Sequence, residues 1–219
     1  MFMKKNAKAV SVIGGTDGPT SVFIAKKAAK LTLRQKLEKL KYKIKRTYAK
    51  KTLKCESHSI DEVCEYLINR YGFFEVDKDS DEIAEEYKQM RAAFIIQYAP
   101  ELLGEYAAFP KLKSESPEDI ELYIKQREQQ MKRAMEIPQT MFDIDFHKFK
   151  KESVDRNNNM DIVIEKKYAY IGGGAAGNKK YVKKYNRIYK DIYRYYGVTE
   201  DDIKSKSQKY RNLVQALSL

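Results

Sequence analysis

The sequence predicts a mainly α-helical, soluble, multi-helix domain, and it leaves room for a minor β-hairpin near residues 160–171. Apolar residues recur at three- and four-residue steps through much of the chain, which is the period of an amphipathic helix. Helix-start signals, in which Ser, Thr or Asp precedes a proline or an acidic turn, recur along it. The 219 residues are 42% hydrophobic and 34% charged, which is the composition of a folded soluble chain.

Two helices are predicted before residue 55. Pro19 favours a short helix over residues 20–30, because proline is tolerated at the first helical position. Thr32 caps the next helix. Most other positions of that helix are Lys or Arg, so it is predicted to be apolar on one side and basic on the rest. The apolar stripe consists of Leu33, Leu37, Leu40, Ile44 and Tyr48.

The middle of the chain is also predicted to be helical. A capping box over residues 59–62 starts a helix that Gly72 ends. An acidic helix is expected over residues 81–98, and a second over residues 116–138, which begins with a cap, a proline and an acidic first turn. A short helix is predicted over residues 140–151.

The last part of the chain contains the one convincing extended stretch, residues 160–171, which is rich in Ile, Val and Tyr. The glycine-rich residues 172–178 are predicted to form a loop before a helix that Gly197 stops. Thr199 caps a final helix that runs to about Leu217.

Three segments are predicted. A glycine-rich segment with a short helix occupies residues 1–30, a helical core occupies 31–156, and the glycine loop with a two-helix unit occupies 157–219. The Asn-rich loop near residue 157 is the natural boundary, and a single domain remains an alternative.

Charge is unevenly distributed along the chain, whose net charge is +12. Residues 1–55 hold 16 basic and 2 acidic side chains, residues 56–145 hold 10 and 21, and residues 146–219 hold 17 and 8. Basic ends of this kind suggest a polyanionic partner. The alternative is that the basic ends dock on the acidic middle, so that much of the charge cancels internally.

No part of the sequence is apolar enough to cross a membrane, because a spanning helix needs about 20 mostly apolar residues. The best run, residues 92–99, is far shorter. The N-terminal apolar run breaks at Gly14 and Gly15, below the length of a signal-peptide core. We therefore expect a cytoplasmic protein in which Cys55 and Cys64 are reduced.

Residues 12–23 form a dense motif, VIGGTDGPTSVF. It resembles the IGGADGPT-type motif of the β subunit of sodium-translocating biotin-dependent decarboxylases, with Thr16 in place of the usual alanine. The resemblance is confined to these residues, and it implies a role for Asp17 in sodium coupling inside a membrane helix bundle. The motif residues whose role is open are Gly14, Gly15, Asp17, Gly18, Pro19 and Thr20.

The same motif also has two purely local interpretations. A capped corner before a helix needs only the freedom of its glycines to adopt positive φ. An anion site would use the N–H groups that open the helix, with Lys26 and Lys27 downstream, although Asp17 would oppose an anion.

A second glycine cluster formally matches the dinucleotide-binding spacing through Gly172, Gly174 and Gly177. That fingerprint needs a second parallel strand after the helix, whereas another helix is predicted here. The alternatives are a flexible hinge or a loose phosphate contact through Lys179 and Lys180.

Catalytic and metal sites find little support in the sequence. The spacing of Cys55, His58, Cys64 and His147 contains no C-x-x-C pair, so zinc is not favoured. Cys64 falls in the apolar stripe of its helix and is expected to be a buried thiol. Neither His has a plausible nucleophile beside it, so no cofactor is expected and an enzyme is less favoured than a binding protein.

The helix after the second glycine cluster carries the strongest pattern. Its tyrosines gather on one side and are expected to be core, whereas its Lys and Arg residues gather on the other and suit phosphate contacts. Together with the earlier basic helix it gives the predicted polyanion-binding residues: Arg34, Lys41, Lys45, Arg46, Lys179, Lys180, Lys183, Arg187, Lys190 and Arg194.

The leading hypothesis is therefore a basic α-helical protein that binds nucleic acid or another polyanion through charged helix faces. A protein–protein adaptor that engages an acidic partner or a second copy is the alternative, and a relative of the sodium-translocating decarboxylase β subunit is the remote one. Basic faces that lie together and open to solvent would favour nucleic acid. Basic faces that cover the helices at 81–98 and 116–136 would favour the adaptor.

Overall fold

The computed structural model describes residues 9–13, 32–112, 114, 116–152 and 158–218. The helices are α1 (Leu33–Thr52), α2 (Ile60–Tyr71), α3 (Asp81–Tyr98), a 3-10 helix (Pro100–Tyr106), α4 (Pro117–Glu136), α5 (Lys179–Tyr196), α6 (Glu200–Ser205) and α7 (Gln208–Ser218). The strands are β1 (Ala9–Ile13), β2 (Glu56–Ser57), β3 (Phe74–Glu75), β4 (Phe146–Glu152), β5 (Asn159–Glu165), β6 (Tyr170–Gly177) and β7 (Gly197–Val198).

Contacts divide the chain into two units. The first, called the sheet unit below, includes the described residues 9–13, 32–76, 146–152 and 158–218. The second, called the helical unit, includes the described residues between 77 and 145. All strands described belong to the sheet unit, as do both of the basic helices.

The sheet unit is built on an antiparallel five-stranded sheet with the strand order β1-β6-β5-β4-β3, and a separate pair joins β2 to β7. The hairpin between β5 and β6 pairs Ile164 with Ile171. On β5, Met160, Ile162 and Ile164 are buried, as period-2 alternation requires of a strand with one face on the core.

The predicted mostly helical character is confirmed, but the predicted β content was too small. The prediction of a helix over residues 140–151 is wrong, because residues 146–152 form β4 and pair with β5 along their length. The loop expected over residues 172–178 is also wrong, because residues 170–177 form β6, which is hydrogen-bonded to β5 on one edge and to β1 on the other. Both segments take their structure from distant strands rather than from local signals.

The final predicted helix is two helices. Lys206 adopts a left-handed conformation with φ of 53° and ends α6. The Ser207 hydroxyl then accepts a hydrogen bond from the backbone N–H of Tyr210 at 3.2 Å and caps the start of α7. The predicted single helix is therefore interrupted between Ser205 and Gln208, where α6 ends and α7 is capped.

Tyrosines of α5 form the layer that packs on the sheet. Tyr185, Tyr189 and Tyr193 are almost completely buried, which confirms that the tyrosine side of this helix is core. The Tyr185 hydroxyl donates to the Asp161 carbonyl oxygen at 2.9 Å, and the Tyr193 hydroxyl donates to the Ile171 carbonyl oxygen at 2.6 Å. The phenols of Tyr185 and Tyr193 therefore each have a backbone acceptor, which offsets the cost of desolvating them.

This tyrosine layer predicts a loss of stability at alkaline pH. Burial raises the pKa of Tyr196 to about 12, helped by the nearby Asp202 carboxylate, and burial raises the pKa values of Tyr185, Tyr189 and Tyr193 as well. The folded state holds these protons more tightly than the unfolded state, whose tyrosines have the ordinary pKa of 10.0. The contribution of these protonated phenols to the free energy of unfolding is therefore fully present below about pH 10. It is lost as the pH rises above that value.

Alkaline titration followed by circular dichroism and by tyrosinate absorbance checks this expectation. The part of the absorbance change that comes from the buried phenols should coincide with the loss of circular dichroism above about pH 10, since these phenols ionise only when the sheet unit opens. Ionisation of all 17 tyrosines with native circular dichroism intact would contradict it.

The helical unit contains α3, the 3-10 helix and α4. Buried Arg91 donates to the Phe142 carbonyl oxygen at 2.6 Å and to the Ile137 carbonyl oxygen at 2.5 Å. Gln130 of α4, also buried, donates to the Tyr106 carbonyl oxygen at 2.8 Å. These polar side chains tie the irregular segments to α3 and α4.

Among the described residues, no helix combines the length and the apolar character that a membrane crossing requires. The short helix predicted over residues 20–30 lies outside the described residues. The same is true of the motif residues Gly14, Gly15, Asp17, Gly18, Pro19 and Thr20.

Candidate functional site

The two basic helices both lie in the sheet unit and expose their charged side chains. In α1 the predicted contacts Arg34, Lys41, Lys45 and Arg46 are all exposed. In α5, Lys190 is half-buried, and the exposed members of the predicted set are Lys179, Lys180, Lys183, Arg187 and Arg194.

The basic face of α5 is a consequence of its tyrosine face. Asn178 caps the helix by accepting a hydrogen bond from the Tyr181 N–H at 2.9 Å, which starts the helix at Lys179. With about 3.6 residues per turn, the inward tyrosines leave the intervening positions pointing to solvent. Those positions are Lys183, Lys184, Arg187 and Arg194, so sheet packing orients the positive charge outward.

Basic side chains of the two helices approach each other near the C-terminal end of α5. Both α1 and α5 pack against α7. Partial burial lowers the pKa of Lys190, and the positive charges of Lys45 and Arg194 lower it further. Cations from two helices that are far apart in the sequence therefore lie close enough to repel one another. A bound anion would relieve that repulsion.

Carboxylates do little to neutralise the α5 part of this surface. In the described part of the chain, Lys183, Arg187, Lys190 and Arg194 form no ion pair within 4.0 Å. The acidic residue of α5, Asp191, instead accepts hydrogen bonds from two tyrosine hydroxyls of α2. The distances are 2.6 Å from Tyr66 and 2.5 Å from Tyr71.

The second glycine cluster is part of the sheet rather than of a ligand loop. Gly172, Gly174 and Gly177 all lie in β6, and β6 has a partner strand on each edge. The dinucleotide-loop and hinge interpretations are therefore wrong, since both require backbone that is not committed to a sheet. Lys179 and Lys180 begin α5, one residue after β6 ends, and extend the basic face of α5 at its N-terminus.

Sequence reasoning missed a stack of three rings beside the basic face. The His58 and Tyr195 rings stack with centroids 3.9 Å apart, and the Tyr195 and Tyr66 rings stack with centroids 4.0 Å apart. The His58 Nδ1 atom lies 2.6 Å from the Tyr195 carbonyl oxygen. Tyr195 lies far along the sequence from His58 and Tyr66, so no local pattern could have indicated the stack.

The cysteines differ in their surroundings. Cys64 is buried within α2, as its position in the apolar stripe predicts, and Cys55 is exposed. His147 lies on β4 with its Nδ1 atom 2.5 Å from a carboxylate oxygen of Glu75. Within the described ranges, no cluster of three or more His, Cys, Asp or Glu side chains has metal-binding geometry.

No protein-family model matches this chain, and no curated protein or solved structure is significantly similar to it. A functional proposal therefore depends on the residues themselves, above all on the basic surface of α1 and α5.

Proposed function

We propose that this protein is a cytoplasmic binding protein for nucleic acid, or for another polyanion with closely spaced phosphates, and that α1 and α5 form its binding surface. The observation that carries the proposal is that α1 and α5 both expose basic side chains and both pack against α7, where the charges of Lys45 and Arg194 act on half-buried Lys190. Surfaces of this kind contact phosphates and release the counterions that phosphates hold.

Contacts to the phosphate backbone dominate this mode of binding. The α5 tyrosines that would be candidates for stacking on bases are buried against the sheet. The outer residues of α5 are Lys and Arg with no fixed partner to orient them towards base edges. We therefore expect binding that is strongly salt-dependent and only weakly dependent on base sequence.

Replacing Arg187 and Arg194 by Gln tests the surface. Both side chains are exposed, and Gln keeps helix propensity, so the fold should survive. If each arginine contacts a phosphate, the slope of log affinity against log salt for duplex DNA should shrink by roughly 1.8, about 0.9 per lost contact. Fluorescence anisotropy over a salt series measures the slope.

A matched control removes the same charge from the helical unit. Lys88 and Lys125 are exposed on α3 and α4, and their double replacement by Gln should leave the slope unchanged. Equal slopes for wild type and the α5 variant would exclude α5 as the contact surface. A wild-type protein that binds neither DNA nor RNA at about 50 mM salt, where non-specific binding is strong, would overturn the proposal in favour of an acidic protein partner.

A further inference from the structure

Helix α1 carries an apolar stripe that is open to solvent. The exposed fractions of its side chains are 80% for Leu33, 56% for Leu37, 54% for Leu40, 60% for Ile44 and 69% for Tyr48. The periodicity seen in the sequence is thus present in the helix, but the stripe does not serve the core. Five large apolar side chains in one exposed row are unusual on a protein surface and indicate an interaction site.

The stripe points away from the side through which α1 packs. Of the residues of α1, all of which are described, Ala49 alone is buried, and α1 packs on α7. At 100° per residue, Ala49 lies about 140° around the helix from Ile44 and about 180° from Leu40. The helix is therefore held by one side and presents its apolar stripe on the other.

Positive charges border the stripe along both edges. Lys36, Lys43 and Lys50 recur at seven-residue steps along one edge, and all three are exposed. The other edge is lined by Arg34, Lys41 and Lys45, also exposed. Each of these positions lies roughly 60–120° around the helix from Ile44. Long basic side chains in such positions can keep their charge in water while the row between them enters an apolar phase.

The positive charge of α1 indicates which kind of partner its apolar stripe can bind. The 20 residues of α1 include nine basic residues and one acidic residue, so a second copy of α1 would be repelled. A nucleic acid backbone would satisfy the lysines but leave the apolar row in water. An anionic lipid surface suits both the charges and the stripe. Its phosphate headgroups can pair with the basic side chains along the edges, and its acyl chains can bury the apolar side chains between them.

We propose that α1 lies flat on anionic lipid surfaces, with Leu37, Leu40 and Ile44 at the headgroup–acyl boundary. The stripe from Leu33 to Tyr48 extends about 22 Å along the helix, at 1.5 Å per residue. That length suits a helix that lies in the interface plane and does not cross the bilayer. This activity is additional to the proposed nucleic acid binding by α1 and α5, and the basic residues of α1 serve both.

Flotation with lipid vesicles tests the proposal on the whole chain. Wild type should float with phosphatidylglycerol vesicles and remain behind with neutral phosphatidylcholine vesicles. Replacing Leu37 and Ile44 by Gln changes no charge, and it should weaken binding to phosphatidylglycerol roughly tenfold or more by removing apolar burial. Replacing Leu122 and Met135, exposed on α4, by Gln is the matched control and should have no effect.

Insertion is tested separately from charge attraction. The chain contains no Trp, so Tyr48→Trp provides a single fluorophore in the stripe. Its emission should shift to shorter wavelength with phosphatidylglycerol vesicles, whereas that of Tyr98→Trp, on exposed α3 surface, should not. Two results would overturn the proposal. One is failure of the wild type to bind the anionic vesicles. The other is full binding by the Leu37 and Ile44 double variant together with no emission shift in Tyr48→Trp.

The two proposals can fail independently. The Leu37 and Ile44 double variant should keep the wild-type salt slope for DNA, because it retains every basic residue. Loss of DNA binding in that variant, with circular dichroism unchanged, would show that the stripe belongs to the nucleic acid surface and would overturn the lipid assignment.

Discussion

Gly197→Ala is expected to destabilise the sheet unit by roughly 2–5 kcal/mol, which combines an unfavourable backbone conformation with a steric clash. Gly197 has φ of 58° and ψ of −162°, a region that in practice only glycine adopts. It also opens β7 opposite Ser57 of β2, where an added Cβ would overlap the carbonyl oxygen of Glu56. Relief would require β2 and β7 to separate.

Chemical denaturation of Gly197→Ala and of a matched variant measures the effect. Gly72→Ala is the control in the same unit, because Gly72 also has positive φ, 63°, but its added Cβ would meet nothing closer than the Lys151 Nζ atom at 3.7 Å. The control should lose only about 1–2 kcal/mol, the cost of a left-handed residue with a side chain. Equal losses at the two positions would show that β2 and β7 do not approach closely at Gly197.

Gly173→Ala is expected to cost roughly 2–4 kcal/mol by overfilling the layer between β6 and α5. An added Cβ at this position would overlap the Asp161 carbonyl oxygen and lie 3.0 Å from the Tyr185 hydroxyl oxygen. The same hydroxyl donates to the same carbonyl, so the methyl group would disturb a buried hydrogen bond as well as the packing. A flexible hinge would behave in the opposite way, since replacing glycine there stabilises by reducing the freedom of the unfolded chain.

A double-mutant cycle with Tyr185→Phe separates these contributions. Tyr185→Phe alone removes one hydrogen bond and should cost about 1 kcal/mol. In the Gly173→Ala background it should cost less, because losing the hydroxyl makes room for the new methyl group. Strictly additive losses would mean that the Tyr185 ring does not limit the space above Gly173.

Helices with complete local signals were predictable from the sequence. Ser59 and Glu62 form both hydrogen bonds of the predicted capping box, at 2.7 Å and 3.2 Å, and Gly72 ends α2 with a left-handed conformation. The signals act within four residues of each other, so they operate whatever the rest of the chain does. The same reasoning explains why α4, which has the predicted cap at Ser116, begins where the sequence predicts.

Most of the sheet was not predictable, because its strands are defined by their neighbours. β4 has the sequence FHKFKKE, in which Lys148 is buried between Phe146 and Phe149, so apolar and polar residues do not alternate. β6 contains three successive glycines, which the usual preferences assign to a loop. At Gly173 glycine is required because Tyr185 of α5 and the β5 backbone occupy the space that a side chain would fill.

Parts of the candidate site were foreseeable and parts were not. The helical period alone places the Lys and Arg residues of α5 opposite its tyrosines, so their outward direction follows from the sequence. The proximity of Lys45 to Lys190 could not be predicted from the sequence, because it depends on the packing of both helices against α7. The same holds for Asp191, whose tyrosine partners on α2 keep its carboxylate occupied.

By itself, the sequence determined most of the helices and caps, and the side of each of those helices on which charge or apolar side chains gather, since these depend on contacts within one or two turns. The tertiary structure decided which apolar side became core. The tyrosines of α5 pack on a sheet whose backbone carbonyls accept hydrogen bonds from Tyr185 and Tyr193, whereas the stripe of α1 stays exposed. The one buried residue of α1, Ala49, lies on the other side of that helix. Burial requires a complementary surface from elsewhere in the chain, and an amphipathic pattern does not carry that information.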